Sequence, residues 1–216
     1  AEQGICVFNT PGANANAVKE LVIAGLLLAS RKIPDALAWV PSLANEGDQV
    51  GKLVEKGKSQ FAGPEIKGKT LGVIGLGAIG ILVANAAVSL GMNVIGTDPF
   101  LSVKSALKLS RKVNIVPSSK EIFEGSDYIT IHVPYNAETK GCINADTIGS
   151  MKDGVRILNF ARGELVNTAD IIAALGNGKV ASYVTDFPTA EVIGVKGVVA
   201  LPHLGASTPE SEDNCA

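Results

Sequence analysis

Gly72-Val73-Ile74-Gly75-Leu76-Gly77-Ala78-Ile79-Gly80 decides the fold, because it ends an apolar strand, makes a tight glycine turn and opens a helix. Three of its glycines have separate physical tasks. Gly75 permits the turn, Gly77 lets backbone N–H groups come close to a pyrophosphate, and Gly80 lets the helix pack on the strand. A diphosphate in that turn sits at the helix N-terminus, where unpaired N–H groups and the positive end of the helix dipole favour an anion.

The next strand, Met92 to Thr97, ends in Asp98, 18 residues after Gly80 and near the spacing expected of an acid that binds a ribose. Its carboxylate can accept hydrogen bonds from a 2′-hydroxyl. A 2′-phosphate would instead be repelled by roughly 4 kcal/mol per unit charge at 4 Å and an effective dielectric near 20. The expected cofactor is therefore NAD, not NADP. A ligand-free turn with a helix-capping Asp would use the same residues, but strand, turn, helix, strand and acid in this order favour the cofactor.

Farther out, strands near 71–75, 93–97, 113–116, 128–133, 155–159, 180–185 and 197–201 alternate with helices. Such alternation predicts an α/β fold with a doubly wound, mainly parallel sheet of Rossmann type and ligands at the C-terminal ends of its strands. With 216 residues, 46% of them apolar, the chain can cover such a sheet on both faces. The longest apolar run, Leu21 to Ala29, is too short to span a bilayer, and no signal-peptide pattern opens the chain. A soluble, cytoplasmic protein is expected. A formal charge of −2, with no basic stripe carrying interleaved aromatics, gives no support to nucleic-acid binding. Cys6, Cys142 and Cys215 are too scattered for a disulfide framework or a zinc site, so no metal is expected.

Gly4 to Phe8 reads as a short strand and Asn9-Thr10-Pro11-Gly12 as its turn; Asn14 or Asn16 then caps a helix running to about Lys32. That helix is apolar around most of its circumference and needs cover on more than one side. From Pro34 to Lys69 the pattern weakens into an irregular arm bearing the single Trp, Trp39. Helix and arm together suggest a subunit interface, against the alternative that both pack on their own domain.

Few polar residues fall just past strand ends. His132, followed by Val133 and Pro134, Arg162, Asp186 with Glu191 five residues later, and His203 can all face one cleft. Hydride chemistry on an alcohol or ketone needs a histidine to move the proton, a carboxylate to orient it and an Arg to grip an anionic substrate. Spacing alone leaves His132 and His203 open as the acid/base.

Gly75 to Gly80, His132-Val133-Pro134, Asn159-Phe160-Ala161-Arg162-Gly163 and Pro202-His203-Leu204-Gly205-Ala206-Ser207-Thr208, in this order, resemble the D-isomer-specific 2-hydroxyacid dehydrogenases over essentially the whole chain. The resemblance implies Arg162 as the substrate-carboxylate binder, His203 as the acid/base and Glu191 as its partner, with His132 near the cofactor. It also implies cofactor contacts at Ala78, Ile79, Asp98, Phe160 to Arg162, Asp186 near the nicotinamide carboxamide, and His203 to Ala206. The substrate is then a small, phosphorylated 2-hydroxy acid. Residues 14–64 correspond to the helix and arm through which cofactor domains of the family form a homodimer.

Two departures stand out. Asp186-Phe187-Pro188-Thr189-Ala190-Glu191 lacks the usual Asp-Val-Phe order, and only 12 residues lead from Glu191 to His203. Counting from Arg162 and Asp186 keeps Glu191 as the acid, whereas counting from Phe187 would put it at Ala190. The family's second, substrate-covering domain has no counterpart here, and the helix begun at Ser207-Thr208-Pro209-Glu210 stops after about two turns. Residues 1–216 therefore read as one NAD-binding domain, a fragment of a longer enzyme. The rival readings are a different 2-hydroxy acid substrate and an NAD-sensing, corepressor-like binding protein.

Overall fold

The structure, a computed structural model, describes Thr10 and residues 12–215. The strand expected at Gly4 to Phe8, Cys6 with it, and Asn9 and Pro11 of the turn that follows lie outside these residues. Helix α1 (Ala15–Arg31) starts the described fold. Its N-cap residue is Asn14, whose side chain makes no capping bond; Asn16 lies inside the helix and bonds Glu20.

The core elements follow as β1 (Thr70–Ile74), α4 (Ala78–Ser89), β2 (Asn93–Thr97), α5 (Val103–Ala106), β3 (Val113–Ile115), α6 (Ser119–Gly125) and β4 (Tyr128–Ile131). After them come α7 (Ala145–Ser150), β5 (Val155–Asn159), α8 (Thr168–Gly176), β6 (Val180–Thr185), β7 (Val198–Ala200) and α9 (Pro209–Cys215). The last helix is capped by Thr208, whose Oγ1 accepts from the Ser211 N–H.

The seven strands among the described residues are all parallel, in the order β3-β2-β1-β4-β5-β6-β7. Side chains alternate across the sheet, so one sequence feeds two cores. Val73, Leu158 and Val184 pack with Val22 and Leu26 of α1 and Val83 and Ala84 of α4. Ile74, Ile129 and Ile157 pack on the other face with Ile122 of α6 and Ile171 of α8.

Helix α1 buries one side through Val18, Val22, Gly25, Leu26 and Ala29 and leaves Leu27 41% exposed on the other. Gly25 is required for that approach: a Cβ there would stand 2.8 Å from the Phe160 ring and 3.2 Å from Val184. The arm is more regular than its sequence suggests, with α2 (Ile33–Trp39), α3 (Val50–Gly57) and three 3-10 turns between and after them. Its short pieces carry too few apolar positions per turn for a periodic signal, and only Leu43 among residues 33–61 is buried. Trp39 stacks on Phe61 at 5.2 Å and crosses Gly57, which has no Cβ to block it.

Candidate functional site

The sheet reverses its strand order between β1 and β4: β2 and β3 lie to one side, β4 to β7 to the other. In such sheets the crevice beyond the C-terminal ends at that reversal holds the ligand. Here the glycine turn follows β1 and His132 follows β4, side by side.

Gly75 has φ +95°, and a Cβ on it would come within 2.6 Å of the His132 carbonyl oxygen. Only glycine satisfies both conditions. Gly80 is packed against the Gly75 carbonyl, with Val73 3.4 Å from the place of a Cβ, so it closes the turn as well as bringing helix to strand. Gly77 is exposed and has nothing within 4 Å of a Cβ position. It is the N-cap of α4 and offers no side-chain cap to the first-turn N–H groups. An open backbone at the positive end of a 12-residue helix fits a diphosphate.

Asp98 reaches the same turn from β2. Its Oδ2 accepts from Leu76 N at 2.9 Å and its Oδ1 from Phe100 N at 2.8 Å, while Gly75 N donates to Thr97 O at 2.9 Å. The carboxylate is half-buried and tied down, and lone pairs remain for a diol.

Across the crevice, His132 N donates to Ile74 O at 2.7 Å, one residue past β4. The Nε2 of its ring lies 2.9 Å from Thr130 Oγ1, and Nδ1 is shut off from solvent with no partner. Burial pushes the imidazole pKa down to about 4. Part of the residue remains accessible, but Nδ1 does not. Near neutral pH this burial favours the neutral ring.

The third wall comes from β5. Asn159, fully buried, donates to Arg162 O at 2.8 Å and accepts from Ala161 N at 3.2 Å, fixing the Phe160 to Arg162 turn. Phe160 points into the core against α1, while Arg162 is exposed and, among the described residues, bonds only the Ala161 carbonyl. The fourth wall joins β6 and β7. Asp186, 1% exposed, accepts from Leu204 N at 2.8 Å and Gly205 N at 2.7 Å. Hydrogen bonds to a charged acceptor contribute about 1.5–3 kcal/mol each. His203 is exposed, has the left-handed φ of 53° and lies 4.9 Å from the Phe187 ring.

These walls enclose a cleft of about 420 Å³ lined by Ile79, by His132 to Pro134, by Phe160 to Arg162, and by Asp186, His203, Gly205 and Ala206. A neighbouring cleft of about 520 Å³ lies toward Gly163 and Val192 and shares Asp186 and His203 with it. Gly75, Gly77, Ala78, Gly80 and Asp98 form the glycine turn and its brace beside the first cleft.

Glu191 is the expected residue that the structure does not bring in. It is exposed, with its carboxyl held below the usual range by the Thr189 hydroxyl and its own N–H, and no bond joins it to His203 among the described residues. Its neighbour Val192, 3% exposed, takes the buried position of the turn at 189–193 and leaves Glu191 in solvent. Three residues missed by the sequence reading belong to the site: Thr130, Asn159 and Phe187. Thr130 was legible, since it stands two residues before His132 and so on the same strand face.

Residues 23–205 match the model of the D-isomer specific 2-hydroxyacid dehydrogenase, NAD binding domain. The chain belongs to this family. It is 36% identical to D-3-phosphoglycerate dehydrogenase of Bacillus subtilis over 100% of its own length and 39% of the relative's, and 37% identical to that of Archaeoglobus fulgidus over 99% and 39%. The chain thus spans about two-fifths of the length of these curated relatives. Among solved structures it is similar to D-lactate dehydrogenase of Aquifex aeolicus in complex with NAD and lactic acid. The TM-score is 0.79 and the identity 28%, over 99% of this chain and 67% of that one. The apo D-mandelate dehydrogenase of Rhodotorula graminis gives a TM-score of 0.81 at 29% identity, over 99% and 62%. This is an NAD-binding domain, and its open Gly77 backbone and tethered Asp98 fit that cofactor.

Proposed function

We propose that the enzyme to which this domain belongs oxidises 3-phospho-D-glycerate to 3-phosphooxypyruvate with NAD, the first committed step toward serine. The observation that carries the reading is Arg162, Asp186 and His203 on one cleft, in a chain 36–37% identical along its whole length to phosphoglycerate dehydrogenases. NAD, when bound, supplies the hydride acceptor. Arg162 grips the substrate carboxylate through its planar fork and polarises the C2 oxygen. Neutral His203 takes the hydroxyl proton at one ring nitrogen and returns it in the reverse reaction. In this reading Glu191 stabilises the resulting imidazolium. Groups that hold the substrate phosphate lie outside these residues. The isolated domain binds NAD(H) without useful turnover.

Positioned proton transfer contributes on the order of 10²- to 10⁴-fold. A His203→Asn variant of the complete enzyme should lose that much in kcat, and near-normal turnover would sink the role. The D-lactate and D-mandelate dehydrogenase neighbours favour a second reading, the same chemistry on an unphosphorylated 2-hydroxy acid. Assays with 3-phosphooxypyruvate beside unphosphorylated 2-oxo acids separate the two. Self-association through α1 and the arm is part of the proposal, supported by Leu27, Leu37 and Val40 at 41%, 67% and 54% exposure. A cytoplasmic location goes with it. No described helix is long and apolar enough to cross a membrane.

A further inference from the structure

We propose that Asp186 is the positioning residue of His203, acting through the backbone of the turn that carries it. Both carboxylate oxygens are committed to the two N–H groups that follow the histidine, Leu204 at 2.8 Å and Gly205 at 2.7 Å. The carboxylate is 1% exposed, so water does not compete for these bonds. They act on a residue that needs holding. His203 has a left-handed φ of 53°, a conformation unfavourable for a side-chain-bearing residue unless its surroundings impose it.

The remaining contacts of the turn are weak by comparison. The ring of His203 touches Phe187 at 4.9 Å and is otherwise exposed, so its direction is set by the backbone beneath it. Gly205 is seated between Asp186 and helix α1: a Cβ there would stand 3.1 Å from Asp186 Oδ2 and 3.5 Å from Val18. That spacing leaves no slack between carboxylate and turn. Asp186 itself follows β6 directly, and its N–H donates to Asn159 O at 3.1 Å, so the anchor is fixed to the same residue that fixes the Arg162 turn. Arg162 and His203, the two groups that must meet one substrate, are thereby referred to a common point in the sheet.

The inference rests on His203 being the proton carrier, and the test keeps the two apart. With two histidines in the chain, imidazole NMR signals resolve to His132 and His203. In Asp186→Ala, amide exchange of Leu204 and Gly205 should quicken at least tenfold and the His203 signals should shift and average, with those of His132 unchanged. In the complete enzyme, kcat should fall at least tenfold more than NADH affinity. Asp186→Asn, which turns one acceptor into a donor facing an N–H, should fall between. Unchanged exchange and His203 signals, or a loss confined to NADH affinity, would overturn the proposal. If Asp186→Ala does not fold, Gly205→Ala decides: it keeps the carboxylate but pushes it, so His203 signals and kcat must move, and an unmoved His203 refutes the anchor. A His203→Asn enzyme that still turns over would sink the proton-carrier reading while leaving the exchange result standing.

Discussion

His132 makes the stability of this domain depend on pH in a window where few other groups act. Its folded pKa is about 4, against an ordinary value of 6.5. Below 6.5 the unfolded chain takes up a proton that the folded one refuses, so stability is full above that pH, falls as pH is lowered, and stops falling below about 4. At 1.36 kcal/mol per pH unit, the loss between pH 7.5 and 4.5 is about 2.5 kcal/mol. The partly accessible flank of the residue makes this an upper figure. Urea unfolding at steps between those two pH values, on the wild type and on His132→Gln, gives the test. Asp127 and other carboxyls with lowered values titrate in both proteins and cancel in the difference. The wild type should lose about 2 kcal/mol more than the variant across the window. Equal losses, within about 0.5 kcal/mol, would mean that His132 protonates freely in the fold.

Gly75→Ala combines a φ of +95° with a Cβ 2.6 Å from the His132 carbonyl, and should cost about 2–3 kcal/mol of stability and abolish NADH binding by calorimetry. Gly77→Ala meets no protein atom within 4 Å; stability should hold within about 0.5 kcal/mol while NADH affinity drops at least tenfold, which would separate ligand space from folding space. Asp98→Asn should shift the NADPH-to-NADH affinity ratio upward by at least tenfold, measured by fluorescence titration; an unchanged ratio removes Asp98 from cofactor choice. Gly25→Val drives a side chain into Phe160, 2.8 Å away, and should lower stability by about 1–3 kcal/mol, with some loss of NADH affinity through the displaced turn.

How much of this was legible depends on what each residue answers to. Gly80 answers to the Gly75 carbonyl five residues back and Gly75 to its own positive φ, so both roles could be read from the chain, although the His132 carbonyl that also excludes a Cβ at Gly75 could not. The strands could be read because burial on both faces leaves unbroken apolar runs. The arm could not, because its helices are short and its contacts, such as Trp39 on Phe61, join residues without periodic relation. Spacing leaves the two histidines open, since both follow strands, and it is the resemblance that points to His203; the buried Nδ1 of His132 is a difference between them that only the structure shows. Glu191 was placed by counting along a loop, and counting is blind to which face of a turn is buried. Val192 took that face.

The two carboxylates of the site show why an acid at a strand end is a weak sign of free charge. Asp98 accepts from Leu76 in the glycine turn and from Phe100 two residues after itself, and Asp186 from Leu204 and Gly205 in the turn after β7, so two backbone N–H groups tie each carboxylate. Structural and ligand roles are not alternatives here. A carboxylate has about four acceptor positions, and two are used in each case. A substitution such as Asp98→Asn therefore cannot remove a ribose contact without loosening the glycine turn. The measured loss of NADH affinity should accordingly exceed that from one lost hydrogen bond to a charged group, about 1.5–3 kcal/mol, by the share that came from keeping Leu76 in place. Restoring the turn by other means would recover that share alone. The ribose contact would remain lost.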